Sequence, residues 1–128
     1  MRIVFAVLML LILTVLPARC MESASELLTS CESFLGAYRA NGKYFQLQGA
    51  TGSMWECWGF INALQQLSSL SGDPELRTTM TGACPPAQVT AVQLMRVIVL
   101  YLQKHPESLH QKAAAVSIYA LQQAFPCK

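Results

Sequence analysis

Charge is scarce in this chain, and so are the arrangements of residues that carry chemistry. Only 12% of its 128 residues are Asp, Glu, Lys or Arg, whereas 53% are hydrophobic. The carboxylates are scattered singly, apart from Asp73 and Glu75, so no helix face offers the paired acids of a general acid and base. There are two histidines, His105 and His110, and no Cys-x-x-Cys pair stands near either at zinc-ligand spacing. His105 precedes a proline in a turn. His110 lies three residues beyond Glu107, a spacing that suits a surface hydrogen bond. No glycine-rich phosphate loop is present. These gaps leave no catalytic residues, no metal ligands and no cofactor site to nominate. The sequence points away from an enzyme.

The hydrophobic excess begins at the N-terminus. Met1-Arg2 is followed by an apolar run over residues 3–16, broken only by Thr14. Fourteen residues are too few to span a bilayer as a helix but suit the core of a secretory signal peptide. Pro17-Ala18-Arg19-Cys20 then offers small residues for cleavage before Met21. A rival reading makes Cys20 a lipidated first residue, although Arg19 occupies a position that usually needs a small side chain. The expected organisation is a signal peptide over residues 1–20 and one domain over 21–128. Losing Arg2 and Arg19 from nine basic residues leaves seven, equal to the seven acids, so the exported chain is near neutral. That argues against binding nucleic acid, which needs a concentrated positive face.

Export also changes the meaning of cysteine. Cys31, Cys57, Cys84 and Cys127 remain, an even number bound for an oxidising compartment, and two disulfides have three possible pairings. The helical pattern narrows the choice. Pro86 and Pro106 are placed to open helices, and the residues before Pro106 and Pro126 are pushed out of the α region. Two helices of equal length follow, over residues 87–104 and 107–124. An antiparallel pair of equal rods brings Cys84 to Cys127. Cys31 and Cys57 then pair by elimination, and each lies on an apolar stripe.

Those stripes define the first half. Ser23-Ala-Ser-Glu26 reads as a capping box, with Leu27, Cys31, Phe34 and Tyr38 behind it, and predicts a helix from about residue 24 to 40. Asn41-Gly42 ends it. Residues 41–52 read as a glycine-bearing connection in which residues 44–47 can form a short strand. Ser53-Met-Trp-Glu56 reads as a second capping box, followed by Cys57, Phe60, Ile61, Leu64 and Leu67, with Gly72 closing the helix. Gly59 inside that helix suggests a close crossing or room for Trp58, and both tryptophans read as packing residues. The helix over 87–104 is apolar nearly all round, beyond what four short helices can cover, so part of it is expected to bury against a second copy. Residues 71–83 form the longest charged exposed connection. Glu75 and Arg77 are the first candidates for partner contact, with residues 44–48 behind them. The fold class expected is all-α, a bundle of four main helices stapled by Cys31–Cys57 and Cys84–Cys127.

Cys57-Trp-Gly-Phe-Ile-Asn-Ala63 resembles the Cys-x-Gly-Tyr-Ile-x-Gly signature of the Rap1a/Tai immunity family, with Phe60 and Ala63 as conservative departures. Cys84-Pro85, Gln93-Leu94, Tyr101-Leu102, His105-Pro106, His110, Ala113, Ala120-Leu121 and Phe125-Pro126-Cys127 are similar to its C-terminal half. The resemblance implies a periplasmic homodimer that blocks the cleft of a peptidoglycan amidase effector delivered by type VI secretion, with no membrane association after signal cleavage. It transfers no binding residue, because the loops match no motif. The main rival is a periplasmic helical chaperone of the acid-stress type, for which seven acids and two histidines supply a weak pH trigger. A carrier of apolar ligands is a third reading.

Overall fold

The computed structural model describes residues 21–42, 44–70, 72, 75 and 79–128. The predicted signal peptide, with Cys20, lies outside the described residues, as do Asp73 and Arg77. Four α-helices and one β-hairpin are present among them: α1 (Ala24–Ala37), β1 (Tyr38–Asn41), β2 (Tyr44–Leu47), α2 (Gly52–Ser69), α3 (Ala91–Lys104) and α4 (Ala113–Ala124). Both expected disulfides form, Cys31–Cys57 with Cα atoms 5.4 Å apart and Cys84–Cys127 with Cα atoms 5.0 Å apart. The expectation of an all-α chain is corrected by the hairpin.

Helix α1 sits at the centre, packed against α2, α3 and α4. Its predicted cap is observed: the Glu26 amide donates to Ser23 Oγ at 3.3 Å and the Ser23 amide donates to Glu26 Oε2 at 3.3 Å. Leu27, Cys31 and Phe34 are fully buried along its core face. Burying an aliphatic or aromatic side chain of this size stabilises by about 1.5–3 kcal/mol. The helix ends three residues before the predicted residue 40, because Tyr38 turns into β1. Tyr38 pairs with Leu47, and Ala40 with Phe45. The Phe45 ring lies 4.8 Å from Trp58 and 5.9 Å from Phe34, while Trp58 stacks on Phe34 at 5.3 Å with the planes 2° apart. Folding residues 38–47 back as a hairpin buries those rings; continuing the helix would leave them in water. Gly42 at φ +57° supplies the positive φ that a two-residue hairpin turn requires. Asn41-Gly42 therefore does not end the helix, which has already stopped at Ala37; Asn41 closes β1 and Gly42 enters the hairpin turn.

Three other boundaries move for local reasons. Helix α2 starts at Gly52 with Thr51 at its N-cap, so Ser53 is inside the first turn and caps nothing. It ends at Ser69, short of Gly72. Helix α3 starts at Ala91 and not after Pro86, because Thr90 and Gln93 form the capping box: the Gln93 amide donates to Thr90 Oγ1 at 3.2 Å and the Thr90 amide to Gln93 Oε1 at 2.8 Å. Pro106 does open a helix, but a 3-10 turn over Pro106–Ser108, and α4 restarts only at Ala113. The interruption has a cause in α1, whose first amides need acceptors outside their own helix. The Ala24 amide donates to the Gln111 carbonyl at 2.9 Å and the Ser25 amide to the Leu109 carbonyl at 3.0 Å. The Ala113 amide donates to the Glu22 carbonyl at 2.9 Å, and Lys112 pairs with Glu22 above it. Residues 109–112 thus act as the docking strip for the start of α1.

One polar atom in the core stands out. Ser117 on α4 is fully buried, and among the described residues its Oγ has no hydrogen-bond partner. A buried hydroxyl without a partner costs about 1–3 kcal/mol, so Ser117→Ala should raise stability by about 1 kcal/mol after the small loss of packing. Urea titration of both proteins checks this; a destabilised variant would mean the hydroxyl is paired in solution.

Candidate functional site

The chain leaving α2 is anchored with more hydrogen bonds than a plain connector needs. The Leu70 amide closes on the Leu67 carbonyl, and the Met80 amide donates to the Leu70 carbonyl at 3.1 Å, so the loop over residues 70–80 is pinched at its neck. Beneath the neck, Ser68 and Thr81, both buried, share a hydrogen bond of 2.9 Å between their hydroxyls. Thr79 Oγ1 donates to the Ala83 carbonyl, and Gln122 Nε2 on α4 donates to the Thr81 carbonyl at 2.8 Å. Gly82 at φ +67° supplies left-handed backbone that favours glycine, and a Cβ there would stand 2.9 Å from Gln122 Nε2, displacing that side chain from its bond to Thr81. Two residues on, the Cys84 amide donates to the Phe125 carbonyl at 2.8 Å, Ala83 bridges Pro126, and Cys84–Cys127 crosslinks the two segments.

This fixed foot presents apolar side chains outward. Met80 is 61% exposed and Leu70 52%, with Leu67 beside them partly exposed. Beside the foot runs an open cleft of about 580 Å³ between the C-terminal half of α2 and residues 85–89, lined by Asn62, Gln65, Gln66, Ser68, Pro86 and Val89 among others. Gln65 Nε2 donates to the Val89 carbonyl at 2.8 Å and ties the two walls together. The surface is uncharged amide, hydroxyl and proline beside exposed leucine and methionine. Such a face suits contact with another protein and offers nothing that moves a proton or an electron pair.

The sequence-predicted residues fall as follows. Glu75 is exposed in the loop above the foot, while Arg77 lies outside the described residues. Tyr44, in the second region named, is exposed at the hairpin tip. The hairpin packs on Trp58 and the loop leaves α2 after Ser69, so about 16 Å of helix separates the two regions at 1.5 Å per residue. They do not form one site. Of the tryptophans, Trp58 is a packing residue as expected, but Trp55 is half exposed. Gly59 faces outward, and a Cβ there would meet nothing within 4 Å, which removes both reasons offered for it. The foot itself was missed, although the Thr-rich run 78–81 ending in Gly82 was a signal that backbone there is held by hydroxyls.

A second outward face lies on α3 and α4. Leu100 on α3 is 51% exposed and Tyr119 on α4 50%; Tyr101, the residue after Leu100, is half-buried, 5.9 Å from Tyr119 edge to face and stacked on His105 at 4.2 Å. Partial burial raises the Tyr101 phenol above its ordinary value, followed in effect by Tyr119 and Glu107, with a Ser108 hydrogen bond pulling the other way. Glu107 pairs with His105 at 2.9 Å and not with His110, correcting the expected couple. Its carboxyl is held below the usual value by the Glu107 backbone first and the His105 contact second. Among the described residues no cluster of His, Cys, Asp or Glu is arranged to hold a metal ion, and no helix is long and apolar enough to cross a membrane.

No curated protein and no solved structure matches the chain. A family model does, over residues 23–127, from the capping serine of α1 to the last half-cystine. That span takes in the Cys31–Cys57 core, the loop foot and the Cys84–Cys127 staple together. The chain belongs to the Rap1a immunity proteins.

Proposed function

We propose that this chain is a periplasmic immunity protein, exported by residues 1–20, that binds and inhibits a peptidoglycan amidase effector of a type VI secretion system. Family membership gives the immunity role and an effector as partner, and two disulfides suggest an oxidising, exported setting. The observation that carries the binding face is the foot of the 70–80 loop, where Leu70 and Met80 are exposed on backbone fixed by the Met80–Leu70, Thr81–Ser68 and Gln122–Thr81 bonds. An inhibitor held rigid before contact spares the ordering cost of binding. Glu75, exposed in the loop, adds a polar contact, and Arg77 remains the second charged candidate from the sequence. The exposed Leu100 and Tyr119 face takes a second copy of the chain, giving a homodimer with its effector faces free.

Two single variants separate these surfaces. Met80→Asp should weaken binding to the amidase by about 100-fold, as expected for a central apolar contact of ~2–3 kcal/mol, with the mass in solution unchanged. Leu100→Asp should halve the mass measured by light scattering and leave each monomer able to bind. Exchange of the two phenotypes would reassign the faces, and wild-type affinity in Met80→Asp would remove the loop foot from the effector contact.

A further inference from the structure

The two disulfides differ in what a reductant can reach. Cys31 and Cys57 are fully buried between α1 and α2, whereas Cys84 and Cys127 are both half-buried. Accessible disulfides are the labile ones in a protein; enclosed ones resist exchange. The accessible staple is also the one that adjoins the loop foot. Cys84 follows Thr81, Gly82 and Ala83 directly, and Cys127 lies beyond the end of α4. Without the crosslink, the segment carrying Ala83 and Cys84 is held to the residues after α4 by the Ala83–Pro126 bridge with its Cys84-to-Phe125 backbone bond, and to α4 by the Gln122 side chain at Thr81. Residues 125–127 are then joined to the foot by those non-covalent contacts alone. The α1–α2 core keeps its own crosslink.

We propose that Cys84–Cys127 is a redox gate on the binding face: reduction by a protein dithiol loosens the loop foot and weakens effector binding while the helical core stays folded. The inference rests on the loop foot being the effector face. In the step itself, one thiolate of the dithiol attacks a sulfur of the pair, forming a mixed disulfide and releasing the other cysteine as thiolate. The second thiol of the reductant then displaces the remaining cysteine. The protein gains two electrons and two protons, and the dithiol leaves as a disulfide. Immunity is thereby full in the oxidised protein and relaxed where the compartment turns reducing.

The chain from Met21 onward is titrated with dithiothreitol, alkylated, and mapped by peptide mass, and each stage is followed by hydrogen exchange. Cys84 and Cys127 should be alkylated first. At that stage exchange at residues 79–84 should rise about tenfold or more with α1 unchanged. The same sample should bind the amidase at least about tenfold more weakly than the oxidised protein. The double variant Cys84→Ser, Cys127→Ser should reproduce both effects without reductant. Simultaneous reduction of both disulfides with global unfolding overturns the gate, as does unchanged exchange at residues 79–84 once Cys84 and Cys127 are free. An oxidised protein that does not bind the amidase refutes the effector reading instead, and the exchange measurement still decides the gate.

Discussion

Replacing Cys31 and Cys57 together by alanine should remove about 4–5 kcal/mol of stability. The sulfurs close a separation of 26 residues, and restoring that freedom to the unfolded chain accounts for ~3.5 kcal/mol. Both side chains are fully buried, so deleting the sulfur atoms adds roughly 1 kcal/mol of lost packing between α1 and α2. A domain of this size has only ~5–15 kcal/mol to lose. The variant should therefore melt ~15 °C lower or more, at a few degrees per kcal/mol. Calorimetry on the purified variant reads this directly. A loss under about 1 kcal/mol would mean that the unfolded chain keeps α1 and α2 together without the crosslink.

The second large effect is expected one helical turn away. Phe34→Ala should cost about 3–5 kcal/mol, the usual range for deleting a buried aromatic ring. Phe34 is fully buried, and its ring contacts those of Tyr38, Phe45 and Trp58. The loss has a local signature as well. The hairpin touches the bundle through these rings, and an isolated two-stranded hairpin is marginal in water. Amides of β1 and β2 should accordingly exchange freely in Phe34→Ala while those of α3 and α4 remain protected. Phe34→Leu keeps an apolar plug and should cost less than half as much. If the hairpin stayed protected in Phe34→Ala, the aromatic cluster would not be what holds it. Because Cys31 and Phe34 share one face of α1, combining the two changes should not give the sum of their effects.

How much of this could be read beforehand varied along the chain. The four helices and both disulfide pairings were legible, because apolar spacing and antiparallel rods constrain where cysteines meet. The helix starts that were misplaced show what pattern alone leaves out. Ser53 with Glu56 matches a capping box in sequence, yet the helix begins at Gly52 with Thr51 at the N-cap and no side-chain cap bond. Pro86 looked like a first-turn proline, but the 85–89 segment forms one wall of the cleft, and Thr90 with Gln93 supplied the better cap. The break at residues 109–112 depends on hydrogen bonds to Glu22–Ser25, almost ninety residues earlier, and carries no local mark. The hairpin was half legible: residues 44–47 were read as a possible strand, while its partner Tyr38–Asn41 was absorbed into the preceding helix. The loop was singled out for its charge. Its foot was not, since that depends on Ser68, Thr81, Ala83 and Gln122, residues far apart in the sequence.

These observations give a physical picture of an immunity protein that acts by position. A core of α1 and α2, crosslinked at Cys31–Cys57, carries a loop whose base is tied to α4 and to the C-terminus. The exposed residues at that base are apolar and fixed, so little order has to be imposed when a partner arrives.

The most direct test is an inhibition titration. Oxidised protein from Met21 onward is added to the cognate peptidoglycan amidase while cleavage of peptidoglycan is followed. Residual activity should fall linearly to zero at one chain per amidase, with Met80→Asp failing to inhibit at the same ratio. An amidase that keeps full activity in excess oxidised protein, or equal inhibition by Met80→Asp, would contradict it.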